Sequence, residues 1–174
     1  MDLLRHWGFP ARFRDWVWAL LSTSSSRVII NGVPCDPIKH GRGLRQGDPL
    51  SPLLFVLSID PLTHILNKAT IQGLLQPLHG RAPFARTSRY ADDAAVFVAP
   101  NKEDVRVLAN ILTSFGEVTG LCANCQKSLV APIRFDNIDL DEILQSVSPT
   151  KTTFPIRYLG LPLSLAAPVG TFKI

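Results

Sequence analysis

Two adjacent aspartates, Asp92 and Asp93, stand between two segments with the composition of β-strands, residues 86–89 and the apolar run 94–98. Neighbouring carboxylates repel each other, so a fold that holds both at the tip of a hairpin needs a cation. Successive strand side chains point to opposite faces, and only a tight turn lets both carboxylates reach one site. Oxygen ligands suit Mg²⁺ or Mn²⁺ better than zinc. An isolated Asp-Asp pair is more often a polar turn, so the prediction of an acidic, metal-binding hairpin depends on the rest of the chain.

A second group of residues that could take part in binding or chemistry lies in a loop that contains two glycines. Asp48 is a good N-cap and Pro49 suits the first helical position, so we expect a helix to begin there. Such a helix end attracts phosphate. Gly47 allows close backbone approach to a ligand, while Arg45 and Gln46 supply a charged donor and an amide. An ordinary capped helix explains Asp48 and Pro49 equally well, but it does not explain the three residues before them. We expect Gly47 to border one cleft with the acidic hairpin.

Helices and strands alternate along the chain and must position these residues. The apolar spacing predicts helices over residues 2–7, 11–21, 102–115 and 140–147, and the helix that begins at Asp48-Pro49 carries an apolar segment from residue 53 towards residue 67. Strands are predicted over residues 27–30, 121–132 and 158–163, besides the two that flank the aspartates, with Asn31-Gly32 as a hairpin turn and residues 38–42 as the returning strand. Asn101 is expected to cap the helix over residues 102–115, and Gly116 and Gly120 to bracket its end. Pro61 should kink or interrupt the third helix. The aromatic residues near the start have helical spacing, which favours core packing over a base-stacking platform: Trp7, Phe9, Phe13, Trp16 and Trp18.

Length and composition describe one globular domain of mixed α+β class. The chain has 174 residues, of which 46% are apolar and 18% charged, and its 14 prolines are many for a purely helical or purely sheet domain. The net charge of +4 mildly favours contact with polyanions. The chain has an odd number of cysteines, namely Cys35, Cys122 and Cys125, and its sequence has no signal-peptide pattern. Both features predict reduced intracellular thiols. The longest apolar run, residues 53–57, is far below membrane-spanning length. The loop over residues 73–87 carries His79, Arg81 and Arg86, which we expect to be exposed to solvent or to face phosphate.

Four motifs in this order and spacing resemble the reverse transcriptases of non-LTR (LINE-type) retrotransposons, and most of all those of plants. They are Gly43-Leu44-Arg45-Gln46-Gly47-Asp48-Pro49-Leu50-Ser51-Pro52, Tyr90-Ala91-Asp92-Asp93, Gly120-Leu121 with Asn124 and Lys127-Ser128, and Tyr158-Leu159-Gly160. Each motif alone is weak, whereas the four together are highly specific. The likeness covers residues 2–165, so we expect a partial reverse transcriptase (palm) domain over residues 1–165 and a truncated tail over residues 166–174.

The resemblance implies a polymerase palm, in which an antiparallel sheet with the acidic hairpin at its centre is backed by helices. It implies RNA-directed DNA synthesis by two-metal deoxynucleotidyl transfer, with Mg²⁺ or Mn²⁺ as cofactor. The implied partners are an RNA template, a DNA primer and deoxynucleoside triphosphates, without a membrane. The implied site residues are Asp92 and Asp93 as metal-binding catalytic carboxylates, Lys127 at the triphosphate, Arg45, Gln46 and Gly47 for nucleotide and template, and Tyr158, Leu159 and Gly160 at the primer grip.

This sequence departs from the family's pattern at its ends. The family's first catalytic aspartate would precede Met1, and Asp2, Asp15, Asp36 and Asp60 do not stand in its motif. We therefore expect a polymerase fragment that is inactive alone. A non-catalytic nucleic-acid-binding remnant and a pseudogene product remain alternatives. Nuclear residence is implied only by the family.

Overall fold

The computed structural model describes residues 1–78, 85–91, 93–133, 139–145, 147 and 149–165. The chain divides into two compact units, Met1–Phe55 and Val56–Ile174.

The first unit begins with two helices and continues into short antiparallel ribbons. The elements are α1 (Asp2–His6), α2 (Ala11–Ser22), β1 (Ser25–Ser26), β2 (Ile29–Ile30), β3 (Val33–Pro34) and β4 (Ile38–Lys39). Strand β2 pairs with β3, and β1 pairs with β4. The predicted Asn31-Gly32 turn is confirmed, because both residues take positive φ values, 51° and 80°, as a tight hairpin turn requires. The returning strand is Val33–Pro34, and residues 38–39 pair instead with the strand before the hairpin.

Helix α2 leaves two of its aromatic side chains exposed, while Phe13 is half-buried and stacks on Phe9. Val17 is buried, but Trp16 and Trp18 are 57% and 61% exposed. The guanidinium of Arg12 lies 4.9 Å from the centre of the Trp16 ring, which is a cation–π contact at the surface. The prediction of core packing is therefore wrong for both tryptophans.

Helix α3 (Ser51–Ile71) runs from the end of the first unit into the second. It begins two residues later than predicted, although Asp48 still acts as a cap because its Oδ1 accepts the Leu50 N–H at 2.8 Å. Pro61 lies inside this helix without interrupting it. Since proline has no N–H, the Leu57 carbonyl loses its usual partner four residues along the helix.

The second unit alternates strands with two further helices. Its elements after α3 are β5 (Thr87–Tyr90), β6 (Asp93–Val96), α4 (Lys102–Thr119), β7 (Leu129–Val130), α5 (Leu140–Ile143), β8 (Thr150–Lys151), β9 (Ile156–Tyr158) and β10 (Leu161–Leu163). Helix α4 is capped at both ends by local chemistry. The Asn101 side chain accepts the Asp104 N–H, and Gly120 takes the left-handed φ of 78° that ends many helices.

The core of the second unit forms where α3 and α4 pack together. Its buried members are Leu62, Leu66, Ala69, Leu75 and Phe115. Val96 of β6 and the apolar stripe of α4 pack against them, so the hairpin of β5 and β6 rests on this core.

The mixed α+β class is confirmed, but the described strands form five separate pairs and not one continuous sheet. Four pairs are antiparallel, and β7 pairs with β8 in parallel. Among the described residues, no helix has the length and apolar character needed to cross a bilayer.

Candidate functional site

The hairpin of β5 and β6 brings the first predicted site residue, Asp93, to the start of a strand. The two strands are antiparallel, and Tyr90 lies directly opposite Asp93. Ala91 takes a left-handed φ of 51°, as the tight reversal requires. Asp92 lies outside the described residues, so the hairpin is present but the predicted acidic tip is not established.

One face of this hairpin is open. Directly opposite residues of an antiparallel pair share a face, and so do residues two apart on a strand. Ser88, Tyr90 and Asp93 therefore lie on the same face. Asp93 is exposed and Tyr90 is 66% exposed. Asp93 makes no ion pair with any other described residue, so its carboxylate is available to a ligand.

Tyr158 of the Tyr158-Leu159-Gly160 motif contacts that open face. Its hydroxyl donates to the Ser88 carbonyl at 3.3 Å and lies 3.5 Å from the Ser88 hydroxyl. Leu159 and Gly160 form the turn between β9 and β10 with φ values of 52° and 80°. The structure thus brings one residue of the predicted primer-grip motif to the strand that leads to the aspartates.

The opposite face of the hairpin is attached to α3 by polar contacts that the sequence did not predict. Arg89 Nη2 donates to Asp60 Oδ1 at 2.9 Å, and the Thr87 hydroxyl lies 3.4 Å from that of Thr63. The Arg89 side chain is 21% exposed, and its Nη1 has no hydrogen-bond partner among the described residues. His64 lies one turn after Asp60, with Nδ1 3.4 Å from its carboxylate. Asp60 therefore fixes the hairpin and is not positioned on its open face.

Arg86 is buried at the base of the β5–β6 hairpin, directly before β5 begins. It is only 4% exposed, which contradicts the prediction of a solvent-exposed or phosphate-facing arginine, while His79 and Arg81 lie outside the described residues. Its Nε donates to the Thr70 hydroxyl and its Nη1 to the Phe97 carbonyl, both at 3.0 Å, while Nη2 donates to the Gln76 carbonyl. Burial lowers the pKa of the Arg86 guanidinium, and the nearby carboxylate of Asp104 raises it. A single sequence holds no signal for this role, because the partners come from three separate segments.

Lys127, predicted at the triphosphate, lies in a turn and not in the strand expected over residues 121–132. Its backbone N–H donates to the Asn124 carbonyl at 3.1 Å and is 3.2 Å from the Asn124 side-chain oxygen. The Lys127 side chain is exposed. Asn124 thus shapes the backbone that presents the lysine.

Arg45, Gln46 and Gly47 form a β-turn in the first unit. The Asp48 N–H points to the Arg45 carbonyl at 3.4 Å, and Gly47 occupies the third position with φ of 83°. A type II turn needs a positive φ there, which glycine supplies without strain. The Ser51 hydroxyl also donates to the Arg45 carbonyl, at 2.7 Å. A side chain at Gly47 would meet no atom within 4 Å, so that side of the loop is open.

The donor chemistry of the hairpin fits a hard divalent cation. Asp93 offers a free carboxylate, the ligand type that Mg²⁺ and Mn²⁺ prefer. The described residues contain no cluster of three or more metal-ligating side chains. The part of the site that the structure describes thus supplies one ligand.

Comparison with known proteins places these features in a family. A family model described as reverse transcriptase (RNA-dependent DNA polymerase) matches residues 1–163. The chain is 29% identical over 133 residues to the retrovirus-related Pol polyprotein from type-2 retrotransposable element R2DM of Drosophila melanogaster, covering 76% of this chain and 12% of that protein.

Two further relatives are similar over shorter stretches. An uncharacterized mitochondrial protein of Arabidopsis thaliana, AtMg01250, is 41% identical over 69 residues, which is 38% of this chain and 57% of that protein. The Transposon TX1 uncharacterized 149 kDa protein of Xenopus laevis is 31% identical over 102 residues, 59% of this chain and 8% of that protein. The chain thus spans only part of each relative's length. Because the family model covers nearly the whole sequence, this chain belongs to the reverse transcriptase (RNA-dependent DNA polymerase) family.

Proposed function

We propose that this chain is the palm part of a retrotransposon reverse transcriptase of the non-LTR type, with residues 1–165 as the partial domain. The family match over residues 1–163 is the observation that carries the proposal. The similarity to the R2DM and TX1 proteins supports the retrotransposon class. The Arabidopsis relative supports a plant type.

The proposed reaction joins a deoxynucleotide to a DNA primer along an RNA template. Asp92 and Asp93 would hold Mg²⁺ or Mn²⁺, which stabilises the charge that develops on the transferred phosphoryl group. The free carboxylate of Asp93 on the open face of the hairpin supports this role. Since the chain spans 12% of the R2DM protein, we assign the reaction to the complete polymerase.

The remaining site residues act by binding and orientation. The Lys127 ammonium would neutralise triphosphate charge, and the exposed turn that carries it supports this role. Tyr158, Leu159 and Gly160 would position the primer, and the Tyr158 contact with Ser88 supports their place beside the hairpin. Arg45, Gln46 and Gly47 would contact nucleotide and template through a turn with one open side.

Metal binding by the chain itself tests the carboxylate assignment. We expect Mn²⁺ to bind, as measured by loss of the free-ion signal in electron paramagnetic resonance, and to bind more weakly in Asp92→Ala and Asp93→Ala. Asp36→Ala is the matched control, because Asp36 is an exposed aspartate in the other unit. Equal binding by all four proteins would contradict the assignment.

Primer extension on an RNA template tests the reaction. We expect any extension by this chain, or by a longer protein that contains it, to disappear in Asp92→Ala and to persist in Asp36→Ala. Extension that survives Asp92→Ala would contradict the proposal. RNA binding without Mn²⁺ binding would favour a non-catalytic nucleic-acid-binding protein.

A further inference from the structure

The face of the β5–β6 hairpin that is turned away from Asp93 is attached to the rest of the second unit. Residues directly opposite in an antiparallel pair share a face, so this face carries Thr87 and Arg89 of β5 with Ala94 and Val96 of β6. Val96 packs against the core. Arg89 lies opposite Ala94, the residue directly after Asp93. An attachment at Arg89 therefore restrains the backbone one residue away from Asp93.

Asp60 of α3 makes the attachment at Arg89. Its Oδ1 accepts a hydrogen bond from Arg89 Nη2 at 2.9 Å, and the two side chains are 34% and 21% exposed. Partly buried charges are screened by water and salt less than surface charges. Thr63 lies about one helical turn after Asp60, and its hydroxyl is 3.4 Å from that of Thr87. Two polar contacts from one side of α3 thus meet two residues on one face of β5.

The helix holds Asp60 itself in place. Asp60 lies in the middle of the 21-residue α3, whose Leu62 and Leu66 are buried in the core. Groups on helices and strands are positioned more precisely than groups on loops. On the open face of the hairpin, Tyr158 contacts Ser88 at 3.3 Å in an exposed position, so that contact is the weaker restraint. Among the described polar contacts of the hairpin, the ion pair with α3 is thus the tighter one and acts nearer to Asp93.

We propose that Asp60 is a positioning residue for the metal site, because through Arg89 it holds the hairpin backbone that orients the Asp93 carboxylate towards a divalent cation. Asp60 is not itself a ligand, since its carboxylate binds Arg89 on the other face of the hairpin. The inference rests on the proposed function where it names the cation, whereas the restraint on the hairpin comes from the contacts with α3. Groups that orient the ligands of a metal contribute about 10–100-fold to its affinity.

Mn²⁺ binding to the full chain, measured by electron paramagnetic resonance, tests this role with two substitutions at Asp60. Asp60→Ala and Asp60→Asn remove the same negative charge, but only asparagine keeps a side-chain oxygen that can accept a hydrogen bond from Arg89. We expect Asp60→Ala to weaken Mn²⁺ binding about tenfold. Asp60→Asn should bind within about threefold of the unaltered chain, because it loses only the distant attraction of the charge. Equal weakening by both variants would show that Asp60 acts through its charge alone and would overturn the proposal.

Leu144→Ala separates positioning from general stability. Leu144 is buried in the second unit but lies outside the core cluster on which the hairpin rests. Its truncation should destabilise the chain and leave Mn²⁺ binding unchanged at a temperature where circular dichroism shows every variant folded. If Leu144→Ala weakens Mn²⁺ binding as much as Asp60→Ala does, the effect is one of stability and the proposal fails. If Asp60→Ala does not fold, Asp60→Ser takes its place, because serine also removes the charge and is too short to reach Arg89.

Amide chemical shifts of the metal-free chain, measured by ¹H–¹⁵N nuclear magnetic resonance, separate this inference from the proposed function. Asp60→Ala should move the amide signals of Tyr90 and Ala94, and Asp60→Asn should leave them near their positions in the unaltered chain. If the unaltered chain binds no Mn²⁺, the proposed metal site fails, while these signals still decide whether Asp60 positions the hairpin. If both signals stay in place in Asp60→Ala, the positioning role is overturned even where the unaltered chain binds Mn²⁺.

Discussion

Arg86 is buried in the second unit and joins three of its segments. Its guanidinium joins α3 through Thr70, the segment after α3 through Gln76, and the end of the hairpin through Phe97. Asp104 is also buried, at 3% exposed, and accepts the Gln76 N–H at 2.9 Å. The two buried charged side chains therefore both bind the backbone of Gln76, Arg86 at its carbonyl and Asp104 at its N–H. Burial lowers the pKa of Arg86, but an arginine stays protonated at any pH at which proteins fold.

We expect Arg86→Met to lower the free energy of unfolding by about 3–5 kcal/mol, because it leaves Asp104 charged without its cation and two carbonyls without donors. Urea denaturation measures the change. Arg106→Met is the control, since among the described residues the exposed Arg106 forms an ion pair with Glu103 alone and should contribute less than about 1 kcal/mol. A loss for Arg86→Met no larger than the control would show that the buried contacts are not stabilising.

Residue-level predictions succeeded where the cause is local. Asn101 and Gly120 were predicted as helix-end residues, and each acts there through a neighbour a few positions away. Gly116 was expected to mark a helix end as well, yet it lies inside α4, where an added Cβ would meet Cys122 Sγ at 3.1 Å. A single sequence cannot distinguish a glycine that ends a helix from one that lets a neighbour approach.

Among the elements, the β5–β6 hairpin uses its two faces differently. Thr87 and Arg89 attach one face to α3, while Ser88, Tyr90 and Asp93 remain on the other. The ion pair of Arg89 with Asp60 is the strongest of these attachments, because both side chains are mostly buried, at 21% and 34% exposed. It therefore sets the position of the strand that ends at Tyr90.

We expect Asp60→Ala to destabilise the chain by about 1–3 kcal/mol, because it leaves the Arg89 guanidinium partly buried without an acceptor. The double variant with Arg89→Met should recover part of that loss, since no unpaired charge remains. Thermal unfolding of the two single variants and the double variant gives the coupling energy. His64→Ala removes a longer contact at an exposed position and should cost less than about 0.5 kcal/mol. Strict additivity of the two single variants would contradict the pairing.

The elements themselves were largely predictable, and the contacts between them were not. Asn31-Gly32 and the strand-like segments on both sides of the aspartates indicate hairpins directly from sequence. The Ser88–Tyr158 contact joins residues 70 positions apart. No local pattern encodes such a contact, so nothing apart from the family resemblance links Tyr158 to the hairpin before the structure is known.

At the scale of the whole molecule, the described surface carries many large apolar side chains. The β2–β3 ribbon is the most compact example, with Ile29, Ile30 and Val33 at 69%, 58% and 67% exposed. A two-stranded ribbon also presents unpaired backbone groups at its edges, which favours association between chains.

We expect Ile30→Thr with Val33→Thr to reduce self-association of the purified chain, as measured by sedimentation velocity, while unfolding free energy changes by less than about 1 kcal/mol. Threonine keeps the β-branched shape of this cross-strand pair. Leu66→Ala, at a fully buried position, should instead cost about 2–5 kcal/mol. A comparable loss in the ribbon variant would show that the ribbon is covered in solution.

Composition predicted the α+β class because apolar content and proline frequency reflect the whole chain. It could not predict that the described strands would form five pairs, since pairing depends on which distant segments meet. The continuous palm sheet came from the resemblance and stays a prediction.

The open face of the hairpin has a practical consequence for spectroscopy. The chain contains two tyrosines, Tyr90 and Tyr158, and both belong to that face, one opposite Asp93 and the other bonded to Ser88. Incorporation of 3-fluorotyrosine therefore places both ¹⁹F nuclei at the candidate site and none elsewhere. A two-line fluorine spectrum thus reports on this surface alone, and paramagnetic broadening of those lines would locate a bound Mn²⁺ ion without any substitution in the protein.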